Sequence, residues 1–523
     1  MRTQQNMVAE IALGKARADA QIDVRVMAPD GGVCRIPAFR TGGGLWKFRY
    51  SSPLIGAHRY VVDADDSDLS GESGEIEIIP YEGDNPLYRH GPIGRRGDDL
   101  YLTHADGTPF FWMGDTWWMG FTTRLSWPEG FYRLTQDRVE KGFNVVQIIA
   151  GLYPDMLPFD ERGANEAGFP WDESFSEINA AYFDAADLKI AHLVESGVTP
   201  CVVGSWGFFM RFAGMEVLKR HWRNIIARWA AYPVCWCVAG EANMTFYGDV
   251  SIPHEEHLRM SRRDWNEMTR FVKDHDPFHR LVTIHPTQNG HEQIEDESLL
   301  DLDMLQTGHG SFHSIVPTMK QVKSALDRKK LPVIDAEVCY EGICNSSYDD
   351  VQRYLFWMNI MLGACGQTYG ANGIWQLNTA DSPYGVSPHG AHWGNTPWEV
   401  AYKLPGSFQV GAAKKLWTRF EWWNFEMHPE WIDKPCSLSA MDGSFAAGIP
   451  GKVRVIFRPF WGGYTGRLAV KGLEPDVSYR AFHFNPVTGE ETDCGRVQPD
   501  ENGAWLSPQV NAFQDWVTVL YAD

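Results

Sequence analysis

VCWCVAGEANM, residues 234–244, is the stretch on which the interpretation of the fold depends. The residues from Val234 to Val238 are all apolar, which is typical of a strand buried on both faces. Glu241 follows almost at once, and a carboxylate in such a place is costly unless it is paired or has a function. In parallel α/β sheets, catalytic groups lie at the carboxyl ends of the strands. Glu241 is therefore the first candidate for a catalytic residue.

The middle of the chain, from about residue 88, alternates between apolar strands and amphipathic helices. Eight such units over roughly 330 residues predict an α/β fold, a (β/α)8 TIM barrel. A doubly wound open sheet is the alternative fold, but no GxGxxG or Walker motif follows the first strand. The predicted strands are Phe110–Trp118, Phe143–Ala150, Thr199–Trp206, Val234–Glu241, Leu281–His285, Asp303–Gly308, Leu331–Glu337 and Gly366–Gln376.

Both ends of the chain show a different pattern, with short alternating runs separated by Gly, Pro and Asp. The runs Ile22–Val26 and Trp46–Tyr50 illustrate it near the N-terminus, and Val453–Phe457 illustrates it near the C-terminus. This pattern predicts antiparallel β-sandwiches. We therefore expect three domains: an N-terminal sandwich over 1–85, a catalytic barrel over 88–425 and a C-terminal sandwich over 430–523.

Composition narrows the range of partners. The net charge is −20, which disfavours nucleic acid and anionic membrane surfaces as partners. No apolar run is long enough for a membrane-spanning helix, and the N-terminus has no apolar core of a signal peptide. Several of the nine cysteines lie inside apolar strands, as expected for reduced thiols. We expect a cytoplasmic protein, or a periplasmic or secreted one if a leader was removed, with homo-oligomer formation left open.

Glu241 ends the fourth predicted strand and Glu337 ends the seventh, and these strands face each other across the mouth of an eight-stranded barrel. Two facing carboxylates are the minimum requirement for glycoside hydrolysis: one protonates the leaving oxygen and the other attacks the anomeric carbon. Asp335 and Glu341 are alternatives to Glu337. We favour Glu337 as the partner, with Glu341 as a substrate ligand.

Aromatic and acidic residues follow other predicted strands. Asp115 could bind a sugar hydroxyl, with Trp117 or Trp118 as a wall of the cleft. It could equally cap the following loop or pair with a buried arginine. Trp206 after the third strand and Trp375 at the eighth could serve as platforms for sugar rings, or pack in the core.

Histidines also gather at this edge, with His285 after the fifth strand and His309 and His313 after the sixth. They could bind a metal together with the two glutamates, but no HExxH or HxH spacing supports that. We expect them to bind sugar hydroxyls or to orient the nucleophile, and we expect no metal and no cofactor.

Four segments carry a family resemblance: GTPFFWMGDTWW (107–118), GFNVVQI (142–148), AGEANM (239–244) and LPVIDAEVCYEG (331–342). They resemble the apiosidase-like glycoside hydrolases, barrel enzymes of a retaining clan with acids on strands 4 and 7. The resemblance spans about 88–425, and the flanking regions resemble the β-domains that often accompany that barrel. It implies Glu241 as acid/base and Glu337 as nucleophile.

The chain departs from that pattern at two neighbouring positions. Gly240 stands where many clan members have asparagine, and Glu241 stands where apiosidases have aspartate. The resemblance therefore implies hydrolysis of a plant-type oligosaccharide or glycoside, without identifying apiose as the sugar. Two alternatives are a non-catalytic carbohydrate-binding protein on a degenerate barrel and a metal-dependent hydrolase or isomerase.

Overall fold

The computed structural model describes residues 1–247, 249–460 and 466–523. Eight parallel strands form its central sheet, paired in the order β5-β4-β3-β2-β1-β8-β7-β6. Hydrogen bonds near the free edges of β5 and β6, such as Asp301 N to Val282 O at 2.8 Å, nearly close the sheet into a barrel. The strands are β1 Trp112–Thr116, β2 Val145–Ile149, β3 Thr199–Val203, β4 Cys235–Cys237, β5 Val282–Thr283, β6 Asp303–Gln306, β7 Val333–Glu337 and β8 Gly366–Tyr369.

Helices cover the outside of the barrel after every strand except β5. Between β5 and β6 the chain forms only two 3-10 turns, Gly290–Glu292 and Glu297–Leu299. The predicted TIM barrel is therefore confirmed, with one departure from eight strand-and-helix units. The long helices are α1 Glu129–Glu140, α2 Ala180–Glu195, α3 Met215–Trp229, α4 His254–His275, α5 Phe312–Asp327, α6 Asp349–Leu362 and α7 Pro405–Trp417.

Shorter elements connect or extend these units. The short α-helices are Pro86–Arg89, Phe209–Ala213 and Trp398–Ala401. The remaining 3-10 turns are Glu161–Gly163, Ile343–Asn345, Trp422–Asn424 and Pro429–Trp431. A small antiparallel sheet of Ile93–Arg95, Leu102–His104 and Pro109–Phe110 precedes β1. Phe110, predicted to begin the first barrel strand, belongs to this small sheet.

The continuous apolar run around β4 is explained by burial on both faces. Trp236 packs edge-to-face on Trp222 of α3, with ring centroids 5.7 Å apart, and its indole N–H donates to Asp276 beyond α4. Cys235 and Cys237, on the other face, are fully buried. Because both faces of β4 are buried, its sequence does not alternate between apolar and polar residues, as expected for a central strand of a parallel sheet.

Two β-rich regions flank the barrel, as predicted. The N-terminal region has a five-stranded and a three-stranded sheet, antiparallel except where Arg2–Gln4 pairs parallel with Ser73–Ile79. Alternation in Ile22–Met27 places Ile22, Val24 and Val26 in its core. Its other strands are Ala9–Lys15, Val33–Pro37, Phe39–Arg40, Leu45–Tyr50 and Gly56–Ala64.

The C-terminal region has a six-stranded antiparallel sheet and a two-stranded one. One face of the large sheet packs on α6, where Trp357 stacks on Phe457 with centroids 5.9 Å apart. The domain boundaries themselves stay predictions. No helix among the described residues is long and apolar enough to cross a membrane. The strands are Glu426–Met427, Phe445–Ile449, Val453–Arg458, Ala469–Val470, Tyr479–Phe484, Glu491–Arg496, Trp505–Leu506 and Trp516–Ala522.

Candidate active site

A cavity of about 230 Å³ opens at the carboxyl ends of the barrel strands. Loops after β2, β4 and β8 form much of its wall, and both candidate catalytic carboxylates line it. Aromatic rings make up a large part of the surface, which suits the apolar faces of sugar rings. The lining residues are Trp118, Pro154, Asp155, Trp206, Glu241, Met244, Tyr247, Gln306, His309, Glu337, Tyr340, Ile343, Trp375, His389 and Trp393.

Glu241 and Glu337 meet through a single amide. Gln306, the last residue of β6, donates from Nε2 to Glu241 Oε1 at 2.8 Å and to Glu337 Oε1 at 3.0 Å. The distance between Glu241 Oε1 and Glu337 Oε1 is therefore at most the sum of these two hydrogen-bond lengths. Retaining glycosidases hold their carboxyl groups about 5–5.5 Å apart and inverting ones about 6.5–9.5 Å. The upper bound on the distance between these two oxygens lies below the range of inverting enzymes.

The two carboxyl groups are held in different protonation states. Burial, reinforced by the neighbouring charge of Glu337, raises the pKa of Glu241 to about 7. Burial would also raise the pKa of Glu337, but hydrogen bonds and positive charge from His285 and His309 outweigh it and lower that pKa below the ordinary range. At mildly acidic pH a neutral acid thus faces an ionised carboxylate, the division of roles that general acid and nucleophile require.

His285 and His309 hold Glu337 from two sides. His309 Nε2 lies 2.9 Å from Glu337 Oε1, and His285 Nε2 lies 3.3 Å from Oε2. Only His309 lines the cavity, whereas His285 is completely buried. His285 therefore does not contact a sugar directly. Its position fits the other predicted role, orientation of Glu337. No group of three or more potential metal ligands occurs among the described residues.

Gly240 and Trp206 explain the local sequence around Glu241. A Cβ at position 240 would lie 2.2 Å from a carbon of the Trp206 ring, so any larger residue would displace the indole. The Trp206 indole N–H in turn donates to Glu241 Oε2 at 3.3 Å. Glu241 itself has a φ of +42°, a left-handed conformation that non-glycine residues adopt at a cost. The tryptophan therefore fills the space that a side chain at position 240 would need, and it binds the candidate acid.

Trp118, Trp206 and Trp375 all reach the cavity, as expected from their positions after β1, β3 and β8. Trp375 lies in the loop beyond Tyr369, because β8 is shorter than its predicted range. Trp118 packs edge-to-face on Trp206, with ring centroids 5.5 Å apart. Their contact with sugar rings stays a prediction.

Asp115 and Trp117 require a correction, because neither lines the cavity. Asp115 is completely buried and binds Arg138 Nε of α1 at 2.5 Å. It also accepts from Trp117 Nε1 at 2.7 Å. Trp117 is fully buried against Phe131. The second reading of Asp115, a partner for a buried arginine, is the one that the structure supports.

This ion pair leads to a prediction about stability. Asp115→Ala is expected to lower the free energy of unfolding by about 3–5 kcal/mol, because it removes the fully buried one of the two carboxylates that pair with the buried Arg138, and leaves only Asp137. Denaturant unfolding followed by tryptophan fluorescence would measure the loss. Asp84→Ala removes a fully exposed carboxylate from an ion pair with the half-exposed Arg89; it is the control and should change stability little. An equal effect of both substitutions would contradict the argument.

Glu341 also points away from the cavity, contrary to its predicted role as a substrate ligand. Its carboxylate accepts from the Tyr369 hydroxyl at 2.5 Å and from Gly406 N, in the first turn of α7, at 3.1 Å. Asp335 is buried between β7 and α6, where it accepts from Asn359 at 3.1 Å. Burial raises the pKa values of both carboxyl groups to about 7. Neither residue competes with Glu337 for a position beside Glu241.

Several cavity residues were not predicted from the sequence. Gln306 ends β6 and could have been suspected, since it is polar at the carboxyl end of a strand. Asp155, Tyr247, His389 and Trp393 lie on long loops, where no periodicity indicates which side chains turn inward. Their positions depend on how three loops meet, which the local sequence does not encode.

A near-closed barrel that holds two carboxylates at hydrogen-bonding distance from one amide is characteristic of glycoside hydrolases. The chain is a glycoside hydrolase. The model of the apiosidase-like catalytic domain matches residues 97–424, more than half of the chain. The chain therefore belongs to the apiosidase-like family, and its substrate is a carbohydrate.

Solved structures support the same fold. One glycoside hydrolase superposes with a TM-score of 0.69 at 21% identity, covering 84% of this chain and 99% of its own. A glycoside hydrolase family 5 protein from Bacteroides vulgatus ATCC 8482 gives a TM-score of 0.66 at 20% identity, covering 84% and 95%. Identities this low show similarity of fold. A comparison with curated proteins gave no match.

Proposed function

We propose that the chain is a retaining glycoside hydrolase that cleaves a plant-type oligosaccharide or glycoside by double displacement. Glu337 attacks the anomeric carbon and forms a covalent glycosyl-enzyme. Glu241 protonates the leaving oxygen in that step and then activates the water that releases the sugar. The observation that carries the proposal is the pair of hydrogen bonds from Gln306 to Glu241 and Glu337.

The surroundings of both acids support these roles. Glu337 is stabilised as a carboxylate by two histidines, so it is ionised and ready to attack. Glu241 is kept protonated at mildly acidic pH by burial and by the charge of Glu337. Once the glycosyl ester forms, the negative charge of Glu337 is lost, and the pKa of Glu241 should fall. The same residue then acts as a base.

The stereochemistry of the product tests the mechanism. A panel of nitrophenyl glycosides and plant-wall oligosaccharides would identify a substrate, and proton NMR would follow the anomeric signal during the first turnovers. The expected first product has the anomeric configuration of the substrate, before mutarotation mixes the two forms. A first product of the opposite configuration would exclude a glycosyl-enzyme on Glu337.

A further inference from the structure

Asp155 adds a third carboxylate to the cavity that contains Glu241 and Glu337. It follows β2 on a loop, is 7% exposed and has a left-handed φ of +54°. Arg162, the nearest cation along this loop, is paired instead with Asp160 at 2.8 Å. A buried acid near two other acids, with no ion pair to any residue that the structure describes, is costly to maintain. Such a group is a candidate for function.

Residues of two other loops form hydrogen bonds with Asp155. Trp393, after β8, donates from its indole N–H to Asp155 Oδ2 at 3.0 Å. Tyr247, after β4, accepts from Asp155 N at 2.7 Å. His389 stacks on Tyr247 with ring centroids 4.9 Å apart and continues the wall. Three loops thus close one side of the cavity around a fixed carboxylate, which faces the same space as the two candidate catalytic acids.

The size of this space limits what it can hold. Pockets for drug-sized ligands measure about 300–1,000 Å³, and this cavity measures about 230 Å³. It suits one sugar ring better than a run of several. An ionised carboxylate offers about four acceptor sites, so the Asp155 side chain keeps acceptor capacity beyond the hydrogen bond that it accepts from Trp393. Hydroxyl groups of a sugar are donors that suit this remaining capacity.

We propose that Asp155 binds hydroxyl groups of one terminal sugar, so that the cavity is a pocket for a single uncharged sugar residue at a chain end. The inference rests on the proposed function, because it takes Glu241 and Glu337 as the point of cleavage. The carboxylates of Glu337 and Asp155 beside one ring exclude uronic acids through like-charge repulsion. The enzyme therefore releases single neutral sugars from chain ends.

Binding of free monosaccharides tests this assignment without requiring turnover. Isothermal titration calorimetry would use glucose, galactose, mannose, xylose, arabinose and glucuronic acid as probes. At least one neutral sugar should bind and glucuronic acid should not. Asp155→Asn should raise the Kd of the bound sugar at least about 10-fold, since hydrogen bonds to a charged acceptor are strong.

Control variants separate recognition from folding. Asp160→Asn removes a carboxylate from the same loop but outside the cavity, and should leave the Kd unchanged. Trp393→Phe keeps an aromatic ring, although a smaller one, and removes the indole N–H that donates to Asp155, so it should weaken binding less than Asp155→Asn does. Glu337→Gln should still bind the sugar, which distinguishes a failure of the catalytic proposal from a failure of this one.

Deoxy analogues of the bound sugar provide the decisive comparison. Loss of the contacted hydroxyl should weaken binding to the wild type at least about 10-fold, yet weaken binding to Asp155→Asn much less. An unchanged Kd in Asp155→Asn would overturn the assignment. So would equal deoxy penalties in both proteins, failure of every neutral monosaccharide to bind, or binding of glucuronic acid as tight as that of the neutral sugars.

Discussion

Glu337→Gln is expected to lower kcat by at least about 10⁴-fold, because an amide cannot form the glycosyl ester on which double displacement depends. The substitution keeps the shape of the side chain and keeps an oxygen that can accept from His309 or His285. The expected loss is therefore chemical. Initial rates on the best nitrophenyl glycoside would measure it, with the far-ultraviolet spectrum and the melting temperature as checks on folding.

Glu341→Gln is the matched control for this variant. The residue lies four positions further along the chain, but its carboxylate binds Tyr369 and the first turn of α7 outside the cavity. Its replacement should affect stability more than kcat. Full activity in Glu337→Gln, or an equal loss of kcat in Glu341→Gln, would remove Glu337 from the role of nucleophile.

Glu241→Gln should have an effect that depends on the leaving group. Proton transfer by a positioned acid contributes about 10²–10⁴-fold, so hydrolysis of an oligosaccharide should slow by that factor. A dinitrophenyl glycoside, whose leaving group needs no proton, should form the glycosyl-enzyme almost as fast as before. Pre-steady-state release of the phenol measures this step directly. Equal losses on both substrates would contradict the acid role.

The pH profile provides a second test of Glu241. The acid must be protonated to donate, and its pKa is raised to about 7, so kcat/KM should fall as the pH rises through about 7. Glu337 must be ionised, and its pKa lies below the ordinary range, so activity should persist at mildly acidic pH. On an oligosaccharide, whose leaving group needs the proton, the residual activity of Glu241→Gln should lack the alkaline limb. Retention of that limb would assign it to another group.

Much of the fold could be predicted because the barrel strands are nearly continuous apolar runs, a direct consequence of burial on both faces. The strand ends were predicted too long. Val238 to Glu241 continue the direction of β4 and make individual hydrogen bonds, such as Val238 N to Thr283 O at 2.8 Å, but no regular ladder. An apolar run indicates that residues are buried, and the buried residues continue past the segment that pairs in the sheet. The apolar runs are therefore longer than the strands. The missing helix after β5 left no clear signal, since a long connection can hold turns instead.

The candidate site was predictable as far as strand order determines it. Glu241 and Glu337 meet because strands 4 and 7 end at the same mouth. Asp115 follows β1 in the same way, yet its side chain turns outward to Arg138 of α1. A shift of one residue reverses the face of a side chain, and the sequence alone does not specify that register at a strand end. Loop residues such as Asp155 are harder to predict than strand ends, because their positions depend on how three separate loops fold together.

The pairing of β6 with β7 has a consequence for how this enzyme can change. Leu305 pairs with Asp335 but Gln306 pairs with Glu337, so the ladder passes over Ala336 at an irregularity. That single extra residue places the side-chain amide of Gln306 beside Glu337, the proposed nucleophile. Inserting or deleting one residue in either strand would separate them, whereas substitutions in the wall loops leave the spacing intact. New sugar preferences are therefore accessible through point substitutions in the loops, while the length of these two strands is held fixed by the chemistry.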